Sequence, residues 1–133
     1  MLGEDGLDLA GISCEQPEGM VPIRIEWRRD VLRPPQNLLV FGYPPYPNHE
    51  PALHHSRAEL HAIPKRIGRD KESLVISSVT RPGFSGGPVL SDRGMVIGVV
   101  EQENVGQVEG ANPLIYISAT PARYCSELNF PAD

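Results

Sequence analysis

The sequence predicts an all-β fold, an antiparallel barrel or sandwich of about six strands with one short helix near the C-terminus. Glycine and proline make up about a fifth of the 133 residues, which is high for a helical protein and ordinary for short strands joined by turns. Strand-length apolar runs recur along the chain. Only the final segment has a helical start signal, with Thr120 as the predicted N-cap and Pro121 as the first helical residue.

The predicted strands follow one another at short intervals. Residues 23–27 alternate apolar and polar side chains with a period of two, and residues 73–80 are rich in β-branched side chains. A hairpin is predicted around a turn at residues 91–94. The histidine-rich stretch 46–57 is interpreted as a surface loop. The predicted strands are 7–13, 23–27, 37–44, a strand within 58–68, 73–80, 88–90, 95–101 and 111–119.

The composition argues against two classes of partner. The formal net charge is −5 and no basic stripe is present, so we expect no nucleic-acid binding. No apolar run reaches membrane-spanning length, so we expect no membrane partner. The first residues lack the basic and apolar regions of a signal peptide, which leaves the location unassigned, with the cytoplasm as the default.

The cysteines and histidines define no recognised cofactor or metal site. Cys14 and Cys125 are predicted to be buried free thiols, with a single bridge between the chain ends as the alternative. We therefore expect no cofactor and no metal. One cluster of metal-ligand side chains has no recognised spacing and is interpreted as part of the surface loop; its members are His49, Glu50, His54 and His55.

A glycine-rich turn around Ser85 is the strongest functional signal. The segment 81–92, RPGFSGGPVLSD, follows one predicted strand and leads into another. Its GFSGG core formally matches the nucleophile elbow of α/β-hydrolases, but that motif needs a helix directly after the serine. Here two glycines and Pro88 lead into a β-type run, so we reject the elbow. A serine nucleophile would need a neighbouring base, normally histidine, oriented by a carboxylate.

The longer segment 82–100, PGFSGGPVLSDRGMVIGVV, resembles the nucleophile segment of chymotrypsin-like (trypsin-like) serine proteases, and their bacterial HtrA-like branch more than the digestive enzymes. The resemblance implies an antiparallel six-stranded chymotrypsin-like β-barrel with Ser85 as the nucleophile. It also implies that the backbone N–H groups of Gly83 and Ser85 form the oxyanion hole. Phe84 stands where animal trypsin-like enzymes carry an aspartate that receives the N-terminal ammonium after cleavage, and HtrA-like relatives also lack that acid.

The resemblance extends weakly over the rest of the chain. The segment GLDLAGIS resembles the family strand that carries the triad aspartate, which makes Asp8 the candidate; a solvated turn acid is the alternative. The implied division is the last strand of the N-terminal barrel in 1–16, an inter-barrel connector in 17–36, the C-terminal barrel in 37–120, and a helix and tail in 121–133. The first barrel would then be largely missing.

The chain departs from the family pattern at the histidine. In the family this residue precedes the aspartate, whereas all four histidines here follow Asp8. The resemblance therefore implies a serine endopeptidase domain that is truncated, with an upstream segment completing the first barrel as a partner. The alternative is a catalytically dead remnant that binds peptides or another protein.

The family resemblance also implies where a peptide or protein substrate would bind. Val79 and Thr80 would form the floor of the primary pocket, which favours a small or medium aliphatic side chain over lysine or arginine. Glu101, Gln102 and Glu103 would form the wall along which the substrate pairs as an additional β-strand.

Overall fold

The computed structural model describes residues 7–77, 83–106 and 114–128, with the backbone alone for 102–106 and 114–116. Six strands close into an antiparallel barrel in the order β1-β2-β3-β6-β5-β4, and a short 3₁₀ helix follows the last strand. The predicted all-β fold class, with its six-stranded barrel and short C-terminal helix, is confirmed. The elements are β1 Gln36–Gly42, β2 His54–Ala62, β3 Leu74–Ser77, β4 Pro88–Ser91, β5 Val96–Gly106, β6 Leu114–Pro121 and the 3₁₀ helix Ala122–Glu127.

Alternating apolar residues form the core of the barrel. In β1 the buried positions Leu38 and Val40 are two residues apart, as expected for side chains that share one face of a strand. The neighbouring strand β2 pairs with β1 over seven residues, from Gln36 opposite Leu60 to Gly42 opposite His54. The core cluster consists of Leu32, Leu38, Val40, Leu60, Leu74, Ile76, Phe84, Val89, Ile97, Val100, Ile117 and Ala119.

Two predicted N-terminal strands are wrong. Residues 7–13 have no strand, and residues 8–13 pair with no other described segment, so their backbone lacks the ladder that defines a strand. In 23–27 only Ile25 forms a bridge, parallel to Val96 at the start of β5. Backbone bonds of 2.9 Å from Glu26 N to Val96 O and from Val96 N to Arg24 O account for this single contact.

Two further boundaries also differ from the prediction. The interpretation of 46–57 as a loop is wrong from His54 onward, because β2 begins there and pairs with the end of β1. The predicted helix start at Thr120 is wrong as well, because Thr120 and Pro121 belong to β6 and pair with β5. The 3₁₀ helix begins at Ala122 and has no side-chain cap. Pairing within the barrel overrides the local capping signal.

The two cysteines are free, and the prediction that both are buried is wrong. Cys14 is exposed in the N-terminal connector, whereas Cys125 is half-buried in the 3₁₀ helix. Partial burial raises the pKa of the Cys125 thiol because desolvation disfavours the thiolate.

An ion-pair network ties the connector before β1 to the far side of the barrel. Glu72 accepts hydrogen bonds from Arg29 Nε at 2.8 Å and Nη2 at 3.1 Å, and from Arg123 Nη2 at 2.8 Å. Arg123 lies in the 3₁₀ helix, so one carboxylate joins three separate segments of the chain. The hydrogen bond from Arg29 is the main reason that the pKa of Glu72 is lowered from its ordinary value.

The network predicts a pH dependence of stability. Because the pKa of Glu72 is lower in the folded state than in the unfolded state, its contribution is complete above the ordinary carboxyl pKa of about 4.3 and is lost as the pH falls through the folded value. Since these side chains are partly exposed, we expect Glu72→Gln to lower the free energy of unfolding at pH 7 by about 1 kcal/mol.

The measurement is urea unfolding of both proteins between about pH 7 and pH 3. The wild-type and Glu72→Gln stabilities should converge as the pH falls. Glu50→Gln, which alters an exposed carboxylate, serves as the control and should leave the curve unchanged. A difference that persists undiminished at about pH 3 would show that the ion pairs of Glu72 are not its source.

Candidate active site

Ser85 lies at the exposed corner of a four-residue turn. Gly87 N–H donates a hydrogen bond of 2.9 Å to Phe84 O, which closes the turn. Gly86, the third residue, has φ +84°, the conformation that a type II turn requires at this position and that glycine adopts without strain. Ser85 is therefore exposed, while Phe84 beside it is buried.

Backbone hydrogen bonds fix the turn against two strands. Gly86 N–H donates to Val100 O at 2.8 Å, and Val100 N–H donates to Gly87 O at 2.9 Å, which attaches the turn to β5. On the other side, Tyr43 N–H donates to Gly83 O at 3.1 Å, just after β1 ends. The turn is thus held from both sides through main-chain atoms.

Close packing explains why glycine stands at two of these positions. A Cβ atom on Gly83 would lie 2.3 Å from Tyr43 O, and a Cβ atom on Gly87 would lie 2.1 Å from Phe41 O. Both obstacles are backbone atoms, so no side-chain movement can relieve the overlap. Gly83 also has φ +102°, which side-chain-bearing residues rarely adopt. The turn can approach the end of β1 only with glycine at these positions.

The turn leaves several polar groups without a hydrogen-bond partner. Within the described part of the chain, the N–H groups of Gly83 and Ser85 donate no hydrogen bond, and the Ser85 hydroxyl has no partner. Exposed backbone donors beside a serine hydroxyl are the groups that stabilise a tetrahedral oxyanion. The structure thus places Gly83 and Ser85, two predicted site residues, side by side.

The described contacts do not join a histidine to Ser85. His54 contacts the turn through Phe84, on which its ring packs edge-to-face with centroids 5.4 Å apart. His54 Nδ1 is hydrogen-bonded to the Tyr46 hydroxyl, and His49 Nδ1 bonds to Pro47 O at 2.8 Å. No group of three or more histidine, cysteine or acidic side chains in the described residues could hold a metal ion.

Asp8, the predicted orienting carboxylate, is exposed and makes no hydrogen bond within the described residues. Its neighbour Leu7 is buried, with 7% of its surface exposed. The structure does not connect Asp8 to Ser85 through any described contact.

The structure describes only some of the predicted substrate-binding residues. Val79 and Thr80 lie outside the described residues. Glu101 is buried, and its carboxylate accepts hydrogen bonds from the Arg66 guanidinium and the Thr120 hydroxyl. Its side chain is therefore engaged inside the protein. Gln102 and Glu103 lie in β5, where the structure describes their backbone alone.

The network around Glu101 was missed from the sequence. Arg66 also donates to Ser73 Oγ at 3.3 Å, and Ser73 Oγ is hydrogen-bonded to Ser118 Oγ at 2.8 Å. No local sequence pattern marks Arg66 as the partner of a buried acid. The available signal was an acid directly after the apolar run VIGVV, because a carboxylate that is buried with such a strand requires a partner.

One edge of β5 lies beside the Ser85 turn. β4 pairs with β5 at Val96–Val99, and the turn continues this pairing to Val100. Beyond Val100, the described residues of β5 have β6 on one side and no strand on the other. Among the described residues, the backbone from Glu101 onward therefore has one strand edge without a partner, which begins beside the turn that carries Ser85.

An apolar cavity of about 500 Å³ opens on the other side of the turn. Ser85 and the glycines around it form one wall, and the end of β1 forms another. The remaining lining comes from apolar side chains, so the cavity favours an apolar over a charged occupant. Its lining residues include Ile23, Phe41, Tyr43, Leu53, Pro88 and Leu90.

A closed six-stranded barrel that presents a serine on a glycine-rich turn is consistent with the chymotrypsin-like class of serine peptidase folds. The family model of the trypsin-like peptidase domain matches residues 1–99. The chain belongs to the trypsin-like peptidase family. No curated protein matches the sequence. In the described residues, no helix has the length and apolar character needed to cross a membrane.

The tight approach at Gly83 predicts an unequal effect of two glycine substitutions. Gly94, in the β4–β5 turn, has φ +76°, but a Cβ atom there would meet nothing within 4 Å. We expect Gly94→Ala to lower the free energy of unfolding by about 1 kcal/mol through backbone strain alone. Gly83→Ala should cost about 3 kcal/mol, because overlap with the Tyr43 backbone adds to the strain.

Urea unfolding of the two variants and the wild type measures the difference. Gly94→Ala is the matched control, since both changes place alanine at a positive φ. Equal losses of stability would show that the approach of the turn to β1 is looser than its geometry indicates.

Proposed function

We propose that this chain is the nucleophile-bearing barrel of a serine endopeptidase, with Ser85 as the nucleophile and the N–H groups of Gly83 and Ser85 as the oxyanion hole. The proposal depends on one observation. Ser85 is exposed, and it lies beside two backbone N–H groups that donate no hydrogen bond within the described residues. Membership of the trypsin-like peptidase family supports the same reaction. Phe84, where an acid stands in the animal enzymes, supports a relation to the HtrA-like branch.

The general base in this proposal is a histidine from a segment upstream of Met1, oriented by Asp8. Two observations support an additional segment. No described contact joins any of the four histidines to Ser85, and the residues before β1 expose large apolar side chains that a neighbouring surface would cover. These exposed side chains are Ile12, Met20, Val21, Ile23 and Trp27, with relative exposures between 53% and 90%.

The proposed substrate is a peptide that pairs with the open edge of β5. The edge begins at Glu101, next to the turn, and main-chain pairing would bring a scissile carbonyl towards Ser85. The carboxylate of Glu101 is held by Arg66 and Thr120, so the pairing uses the backbone of 101–103. The apolar cavity beside Ser85 supports a preference for apolar substrate side chains.

A second candidate function is peptide binding without catalysis. The observation in its favour is that the Ser85 hydroxyl has no hydrogen-bond partner among the described residues. A serine without a base is a weak nucleophile. The open edge of β5 would still pair with an extended peptide, so binding would survive where hydrolysis does not.

Labelling with a fluorophosphonate probe tests the catalytic proposal. Two proteins are compared. The extended protein contains any coding sequence that precedes Met1 in the same reading frame, and the second protein is the 133-residue chain alone. The extended protein should be labelled faster, by about 10²–10⁴-fold, which is the usual contribution of a general base. Ser85→Ala should abolish labelling. Ser126→Ala, at an exposed serine in the 3₁₀ helix, is the control and should have no effect.

Two results would contradict this mechanism. Labelling that survives Ser85→Ala would show that another nucleophile reacts with the probe. An upstream stop codon, combined with a folded chain that is not labelled, would favour the peptide-binding function.

The preference for apolar side chains is tested by binding, independently of hydrolysis. Fluorescently labelled peptides that differ only in Val or Arg at one position are titrated into Ser85→Ala, and anisotropy gives the dissociation constant. The Val peptide should bind more tightly, by about tenfold, because burying an unpaired guanidinium in an apolar cavity is unfavourable. Tighter binding of the Arg peptide would refute the preference.

A further inference from the structure

Phe84 differs from its neighbours in the nucleophile turn because it points into the protein. It is 2% exposed, whereas Ser85 and Gly86 are exposed. Phe84 lies directly between the two residues whose N–H groups form the proposed oxyanion hole. Its position therefore influences the orientation of both amides.

The backbone hydrogen bonds that hold the turn do not involve the N–H groups of Gly83 and Ser85. Gly83 and Gly86 flank the Phe84–Ser85 pair, and glycine has more conformational freedom than any other residue. The hydrogen bonds at Gly83 O, Gly86 N and Gly87 hold the ends of the turn. Phe84 supplies the only side chain of the turn that is buried in the core.

Two elements hold the Phe84 ring. Its Cδ1 atom lies so close to Gly42 at the end of β1 that a Cβ atom there would be 2.8 Å away. On β2, the His54 ring packs edge-to-face on Phe84, with centroids 5.4 Å apart and an interplanar angle of 85°. This geometry is favourable for aromatic pairs.

His54 is itself held in place. Its Nδ1 is hydrogen-bonded to the Tyr46 hydroxyl, and the two rings are stacked with centroids 6.0 Å apart. Tyr46 lies in the segment between β1 and β2, and His54 is the first residue of β2. A hydrogen-bonded ring has fewer accessible orientations, so Tyr46 fixes the surface on which Phe84 packs.

We propose that His54 is a positioning residue for the oxyanion hole. Its ring, fixed by Tyr46, clamps Phe84 and thereby holds the N–H groups of Gly83 and Ser85 in the orientation that stabilises negative charge. The inference rests on the proposed function for its catalytic consequence. The clamp needs the shape of the ring at position 54, whereas a general base would need its titratable nitrogen.

Paired substitutions at His54 separate these roles. His54→Phe keeps an aromatic ring and removes the titratable nitrogen, whereas His54→Ala removes the ring. His61→Phe and His61→Ala, at a half-exposed side chain on the same strand, are the matched controls. Tyr46→Phe removes only the hydroxyl that holds His54 and is the mildest variant if His54→Ala does not fold.

The first readout is independent of catalysis. Backbone ¹⁵N relaxation of Gly83, Ser85 and Gly86 should give order parameters of about 0.85 in the wild type and below about 0.6 in His54→Ala. His54→Phe and Tyr46→Phe both keep the two rings and remove the hydrogen bond between them, so each should lower the values only in part. Both His61 variants should match the wild type. Unchanged order parameters in His54→Ala and Tyr46→Phe would overturn the clamp.

The second readout is the rate of fluorophosphonate labelling of Ser85 in the extended protein. His54→Ala should slow labelling by about 10²-fold, the usual effect of losing an oxyanion donor. His54→Phe should slow it much less, to the same extent as Tyr46→Phe, because the ring is kept and only the hydrogen bond is lost. Complete loss in His54→Phe with a rigid turn would make His54 the base and overturn the proposal. If the wild type is not labelled although the order parameters follow the expected pattern, the proposed function fails and the clamp on the turn stands.

Discussion

The close approach of the Ser85 turn to the end of β1 is the contact on which the candidate site depends. At Gly83 and Gly87 the two backbones are so near that a single added carbon would overlap a carbonyl oxygen. Tyr43 N–H bonds to Gly83 O across the same contact. Because every atom involved belongs to the main chain, the path of the backbone fixes where the turn meets β1.

Strand register carries this constraint from the barrel to the site. β4 follows the turn directly and pairs with β1, with Val40 opposite Val89, and with β5 on its other side. Val89 is fully buried, and a slip of one residue would turn it outward. The core therefore fixes the register of β4, and the register fixes where the turn meets β1 and β5. The serine and the open edge of β5 come together for the same reason.

Local sequence patterns predict the structural features that depend on residues close together in the chain. The Ser85 turn, the β4–β5 hairpin and the β-type core depend on neighbouring residues, and the sequence predicts them. The packing of His54 on Phe84 and the pairing of Glu101 with Arg66 join residues about 30 apart in sequence or more, so they follow from the barrel closure and not from any short motif. The predicted strand at 7–13 failed because alternation cannot supply a pairing partner.

Phe84 shows how the same turn can be anchored without a charge. A carboxylate buried to this degree would need a cation beside it, because an unpaired buried charge costs several kcal/mol. A buried phenylalanine instead contributes about 1.5–3 kcal/mol from apolar burial, and its edge-to-face contact adds about 0.5–1.5 kcal/mol. The groups that receive it, Gly42 and His54, belong to β1 and β2. The turn is therefore anchored by apolar packing against these two strands.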